Sequence, residues 1–123
     1  MVWQIASNID EPRALTQAVL QVIDLLDLFQ AELARVLQLR CADIGALASA
    51  QRSLEPGTRA WEQALLFVRF YCALYDRMDG NGVAMRHWLR VANRELGGVP
   101  HLLIVDDDRL PEVVKYLETP AQM

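Results

Sequence analysis

The side chains with the most chemical potential in this 123-residue chain are two histidines, two cysteines and a run of three aspartates. Neither His87 nor His101 has a Cys, Asp or Glu at metal-site spacing, so we expect structural or surface roles for both. The aspartates at 106–108 lack the alternating spacing and closing Glu of a calcium loop, which predicts a solvated turn. Cys41 and Cys72 are interpreted as reduced thiols in the core.

Motifs for catalysis are not evident in the sequence. It shows no nucleophile elbow and no carboxylate pair. Gly97 and Gly98 are followed by Val-Pro, whereas a phosphate-binding loop would lead into a helix that cradles the phosphate. We therefore expect a protein that is not an enzyme and uses neither a metal ion nor another cofactor, which leaves binding as the function.

Composition and charge narrow the classes of partner. The chain is 53% hydrophobic and has a formal net charge of −4, so it can bury a core but is not suited to coat nucleic acid non-specifically. No apolar run approaches the length of a membrane span, and the first ten residues do not resemble a signal peptide. We expect a cytoplasmic protein with no membrane partner.

Helical spacing of the apolar residues predicts an all-α fold. Asp10-Glu11-Pro12 is typical of a helix start, with a capping carboxylate and a Pro at a position where its missing N–H costs little. The first helix then has an apolar face, which consists of Leu15, Val19, Val22 and Leu26.

Residues 28–52 are predicted to form two short helices joined by a tight turn. Phe29, Leu33 and Leu37 mark one face of the first helix, with Ala31 and Ala34 allowing a neighbour to approach, and Ile44, Leu47 and Ala48 mark the second. The spacing suits a helix-turn-helix whose second helix, about residues 42–52, enters the major groove, and it equally suits a pair of helices that only pack together. The polar residues that could contact DNA there are Arg40, Asp43, Ser49, Gln51 and Arg52.

The second half of the chain is predicted to contain the longest helix, from Thr58 to about Met78, which is apolar on most sides and is therefore central or part of a subunit interface. Asn81 is predicted to cap the next helix, which carries Trp88 and continues to Leu96 before Gly97 ends it. A short apolar helix or turn follows from Pro100, and a last helix begins at Pro111.

The residues around the two glycines resemble the C-terminal toxin-binding domain of the MbcA/ParS/Xre antitoxin family. The residues that carry this resemblance are Trp88, Leu89, Ala92, Asn93, Leu96, Gly97, Gly98, Pro100, Leu103 and Ile104. Residues 28–52 resemble the degenerate Xre-type helix-turn-helix that usually precedes this domain. The resemblance thus implies an Xre-like region at 10–57 and a small helical toxin-binding unit at 58–123, which share a core.

The resemblance further implies a type II antitoxin that forms a homodimer and neutralises a cognate toxin of the RES class, which consumes NAD or transfers ADP-ribose from it. Such proteins often also repress their own operon by binding operator DNA. The residues we expect to contact the toxin are in the last helix and just before it: Arg109, Val113, Lys115, Tyr116, Leu117 and Glu118.

Two other functions remain open from the sequence. The chain could be a small dimeric helix-turn-helix regulator of transcription without a toxin partner, or an all-α adaptor whose partner is neither toxin nor DNA. For an antitoxin, we expect Tyr116→Ala or deletion after Pro111 to abolish partner binding and to leave the fold intact. For a regulator, Arg40→Ala and Arg52→Ala should weaken salt-sensitive binding to DNA.

Overall fold

The computed structural model describes residues 11–119, whose regular secondary structure is helical, with one isolated antiparallel bridge between Asn93 and Gly98. The predicted all-α fold is therefore confirmed over this part of the chain. Its helices are α1 (Pro12–Leu26), α2 (Gln30–Leu37), α3 (Cys41–Ala48), α4 (Arg59–Arg77), α5 (Gly82–Arg90), α6 (Pro100–Val105) and α7 (Leu110–Glu118).

Several helices begin where their capping residues predict. The Glu11 carboxylate accepts hydrogen bonds from two backbone N–H groups in the first turn of α1, at 2.9 and 3.1 Å. The Thr58 hydroxyl accepts a hydrogen bond from the Trp61 N–H in α4 at 3.1 Å. The side-chain carbonyl of Asn81 accepts one from the Ala84 N–H in α5 at 3.1 Å. These side chains satisfy helix N–H groups that have no partner within the helix. Asp10, part of the predicted start of α1, lies outside the described residues.

The longest helix, α4, lies at the centre of the fold, as its apolar faces predict. Phe67, Phe70 and Leu74 on α4 are fully buried. The helix packs most extensively against α7 and also against α1, α2 and α5. Buried side chains from residues 15 to 117 form one hydrophobic cluster, so both halves of the chain contribute to the same core.

The end of α1 is held by arginines from a distant helix. Arg86 donates to the carbonyl of Leu25 at 3.3 Å, and Arg90 donates to the carbonyls of Leu26 and Asp27 at 3.1 and 2.7 Å. The last carbonyls of a helix have no partner within it and carry the negative end of its dipole, so cations are favourable there. These bonds fix the position of α5 against α1.

The prediction that three residues near α2 and α3 are buried is wrong. Phe29 is 74% exposed, because α2 begins at Gln30 and Phe29 is the extended residue before it, where its N–H is bound by the Glu32 carboxylate at 2.9 Å. Ala48 ends α3 on its exposed side, and Cys41 begins α3 and is also exposed. The buried residues of these two helices are Leu33, Ala34, Val36, Leu37, Ile44 and Leu47.

Two buried polar side chains are held by hydrogen bonds that cross the fold. Gln63 on α4 donates to the Val36 carbonyl at 3.0 Å. Thr16 on α1 accepts from the Leu54 N–H at 2.9 Å, which ties the loop before α4 to α1. Such bonds offset the cost of removing polar groups from water. No helix in the described part of the chain is both long and apolar enough to cross a membrane.

Candidate functional site

The corner at residues 93–98 is built around Asn93. The Asn93 N–H donates to the Gly98 carbonyl at 2.8 Å, and the Gly98 N–H donates back at 3.2 Å. The Asn93 side-chain carbonyl also accepts from the Leu96 N–H at 3.1 Å. Gly97 has a φ of +80°, which favours glycine, and a side-chain carbon on Gly98 would come within 3.1 Å of Leu103. Each of these residue types is therefore favoured by the shape of the turn.

This corner corrects the predicted end of the Trp88 helix. The helix ends at Arg90, whereas the periodicity predicts helix to Leu96. The reason is that Asn93 uses its side chain to bond the backbone of its own turn, an alternative to helix that Asn offers readily. Leu96 is still buried, so its apolar character reflects the packing of the turn.

The corner brings α5 and α7 together through two aromatic side chains. The rings of Trp88 on α5 and Tyr116 on α7 are nearly parallel, with 6.5 Å between their centroids. The Tyr116 hydroxyl donates to the Glu95 carboxylate at 2.7 Å, and the Arg77 guanidinium lies 4.9 Å from the centre of the Tyr116 ring. Tyr116 is thus half-buried in contacts within the chain, where the sequence predicts a side chain exposed to a partner.

The other predicted toxin contacts differ in accessibility. Val113 and Leu117 are buried in the core. Arg109 is bound to the Leu96 carbonyl at 3.3 Å and to Glu112 at 2.7 Å, and its hydrogen bond with Glu112 raises the pKa of the guanidinium. Lys115 is exposed.

Glu118, the sixth of these residues, is paired with Arg69 of α4. Two hydrogen bonds of 2.6 Å join the guanidinium to the carboxylate. They hold the pKa of Glu118 below its usual value and raise the pKa of Arg69. The last helix is therefore mostly engaged with the rest of the protein, and only part of it faces outward.

The residues predicted to contact DNA also lie in a local network. Asp43 bonds the Arg40 N–H at 3.1 Å and pairs with Arg52 at 2.9 Å. The hydrogen bonds from Arg40, first of all from its backbone, lower the pKa of Asp43. Ser49 and Gln51 are exposed, but they lie beyond the end of α3 at Ala48, so the predicted second helix is shorter than 42–52.

A depression of about 330 Å³ lies beside this network, and both arginines that line it already have side-chain partners. Arg52 is paired with Asp43, and Arg59 donates to Gln38 at 3.0 Å. Two helices joined by a three-residue connection are present as predicted, since α2 ends at Leu37 and α3 begins at Cys41. A DNA-binding role for them stays a prediction.

The histidines and cysteines form no metal site in residues 11–119. His101 of α6 is bound to Glu32 of α2, which joins these helices, and His87 is exposed on α5. Both cysteines are free, and burial raises the pKa of the half-buried Cys72 thiol.

Sequence reasoning missed an exposed apolar surface on α5. Val83 on α5 is 71% exposed, and exposed His87 lies one turn further along the same helix face. Val91, the extended residue that directly follows the helix, is 45% exposed. A groove of about 280 Å³ is lined in part by His87 and Val91. We call it the α5 groove, and its lining residues are Met78, Ala84, His87, Trp88, Val91, Ala92 and Asn93. The signal in the sequence was the four-residue spacing of Val83, His87 and Val91, opposite the buried pair Met85 and Leu89.

The chain matches no known protein-family model and no curated protein. The antitoxin family is therefore a proposal that rests on the residues themselves.

Proposed function

We propose that this protein is a type II antitoxin, which binds and neutralises a toxin of the RES class through its C-terminal helical unit. The observation that carries the proposal is the corner at residues 93–98. Asn93, Gly97 and Gly98, which resemble the family motif, each meet a specific demand of this turn. The turn joins α5 to α6 and places the Trp88–Tyr116 pair at the surface.

The physical character of this surface supports a binding function. Aromatic side chains and arginines supply most of the energy at protein interfaces, and Trp88, Tyr116 and Arg77 lie together here. Their positions are already fixed by the contact of the two rings and by the Tyr116–Glu95 hydrogen bond. Binding of a partner would therefore lose little side-chain entropy at these residues, which favours tight binding.

The test uses the reading frame next to the gene. Its product alone is expected to stop growth and to lower cellular NAD, and co-expression of this protein is expected to restore both and to yield a complex that co-purifies. A core variant, Leu89→Asp, provides the control, because Leu89 is 1% exposed and its replacement by a carboxylate should unfold the protein and abolish rescue.

A neighbour that is harmless and forms no complex would exclude the antitoxin function for this gene. The regulator would then be the function to test, by the effect of Arg40→Ala and Arg52→Ala on binding to the DNA upstream of the gene. The Arg52–Asp43 ion pair reduces the cation available for phosphates, and for this reason we place the antitoxin first.

A further inference from the structure

The α5 groove has a mostly apolar lining that contains no arginine, and four arginines directly adjoin its lining residues in the sequence. Residues 77–95 contain four arginines and two acidic residues, whereas the rest of the chain contains eight basic and fourteen acidic residues. One of the two acids, Glu95, already accepts the hydrogen bond of Tyr116. The protein is thus acidic as a whole but basic around this groove.

The positive charge near the groove is not neutralised within the described residues. Of the twelve basic residues in the chain, six make no ion pair with a carboxylate there, and four of those six are Arg77, Arg86, Arg90 and Arg94. Arg77, Arg86 and Arg90 donate to backbone carbonyls, which orient the guanidinium groups without cancelling their charge. Every other arginine between residues 35 and 119 has a carboxylate partner.

We propose that the α5 groove is the docking site for an acidic amphipathic segment of a partner protein. An aliphatic or aromatic side chain of that segment occupies the groove beside Trp88 and Val91, and its flanking Asp or Glu residues face Arg90 and Arg94. The groove is smaller than most sites for drug-sized molecules, which measure about 300–1,000 Å³, and so suits a single side chain. The charges supply the complementarity that selects an acidic partner.

Two alternatives fit the surface less well. A second copy of this chain would bring the same arginines face to face, and like charges oppose such a contact. Nucleic acid would be attracted by the arginines but would leave Val83 and Val91 without an apolar partner. An acidic segment with an apolar side chain would contact both the exposed valines and the arginines.

The test begins with random 15-residue peptides displayed on phage and selected on the full chain. We expect the enriched peptides to combine a large apolar residue with more Asp and Glu than the starting library. Selection of no peptide, or of peptides without this acidic bias, would overturn the proposal. So would complete displacement of the peptides by a short DNA duplex at physiological salt, since that would identify the surface as a nucleic-acid site.

Matched variants then locate the binding. Val91→Glu with Ala92→Glu should weaken peptide binding at least about tenfold, because it removes apolar contact from the groove lining and adds repulsion. The same two changes to Lys remove the apolar contact but add charges that attract an acidic segment, so they should weaken binding less, by about threefold. Phe29→Glu, at a residue as exposed as Val83 but on α2, should leave binding unchanged. Equal effects of the Glu and Lys pairs, or an effect of Phe29→Glu as large as theirs, would contradict the groove.

The inference rests on the proposed function only for the identity of the partner. If the double Glu variant still neutralises the toxin, the groove is not the toxin-binding surface, while the antitoxin function stands. If peptides bind the groove but the neighbouring gene product is harmless, the antitoxin function fails and the groove stands. Circular dichroism of each variant verifies that these exposed substitutions leave the fold intact.

Discussion

The ring of Trp88 lies against the ring of Tyr116, with centroids 6.5 Å apart and planes 18° from parallel, and this contact joins α5 to α7. It makes Tyr116 part of the fold as well as part of the candidate surface. Tyr116→Ala should therefore lower the stability of the fold as well as remove a candidate contact residue. A loss of partner binding in that variant is informative only beside its stability.

We expect Tyr116→Ala to lower the free energy of unfolding by about 2 kcal/mol, because a half-buried ring and its aromatic partner are lost. Tyr116→Phe keeps the ring contact and removes only the exposed bond to Glu95, so it should cost about 0.5 kcal/mol. Urea denaturation followed by circular dichroism measures both. Equal costs for the two variants would show that the hydroxyl, and not the ring, holds α7.

Two glycines make a matched pair for testing the corner. Gly97 has a φ of +80°, so Gly97→Ala should lower the free energy of unfolding by about 1 kcal/mol. Gly45 lies inside α3 with open space around it, so Gly45→Ala should raise the free energy of unfolding by about 0.5–1 kcal/mol. Thermal unfolding of the two variants gives the comparison. A neutral Gly97→Ala would mean that the turn adopts another conformation.

The sequence predicts helix beginnings better than helix ends in this protein. Thr58 and Asn81 cap α4 and α5, and Pro100 is the first residue of α6. These signals act between neighbours in the sequence, so they are visible without the fold. The end of α5 was missed because Asn93 closes a turn with Gly98, and helical spacing alone does not distinguish that turn from one more helical turn.

The sequence predicts the site only in part, because contacts between distant residues decide exposure. The bond between Tyr116 and Glu95 joins residues 21 apart, and the pairing of Glu118 with Arg69 joins residues 49 apart. Periodicity gives the buried face of each helix but not which neighbour covers the opposite face. Val83 and Val91 stay exposed because no described element covers that side of α5.

The last helix contains both core and surface positions, and two variants separate them. Leu117 is 6% exposed, so Leu117→Ala should lower the free energy of unfolding by about 3 kcal/mol. Lys115 is exposed, so Lys115→Ala should change the free energy of unfolding by less than about 0.5 kcal/mol. Chemical denaturation gives both values.

The same burial means that deletion after Pro111 should unfold the protein, since it removes Val113, Val114 and Leu117 from the core. Analytical gel filtration and circular dichroism of the truncated chain measure this outcome. A truncated chain that remained folded would show that α7 is dispensable for the core.

The Arg69–Glu118 pair should make stability depend on pH in a defined direction. Hydrogen bonds from Arg69 hold the pKa of folded Glu118 below its ordinary value of 4.5. A carboxyl group with a lowered folded pKa stabilises the protein above its unfolded pKa, and this contribution is lost as the pH falls through the folded pKa. Glu118→Gln should therefore be less stable than the natural chain at pH 7, and the difference should shrink as the pH falls below 4.5.

Unfolding at several pH values, repeated at high salt, measures this difference in stability. Lys115→Gln on the same helix is the control. Because the pair lies at the surface, salt should reduce the difference at pH 7. A difference that stayed constant from pH 7 to pH 3 would mean that Glu118 contributes through packing and not through its charge.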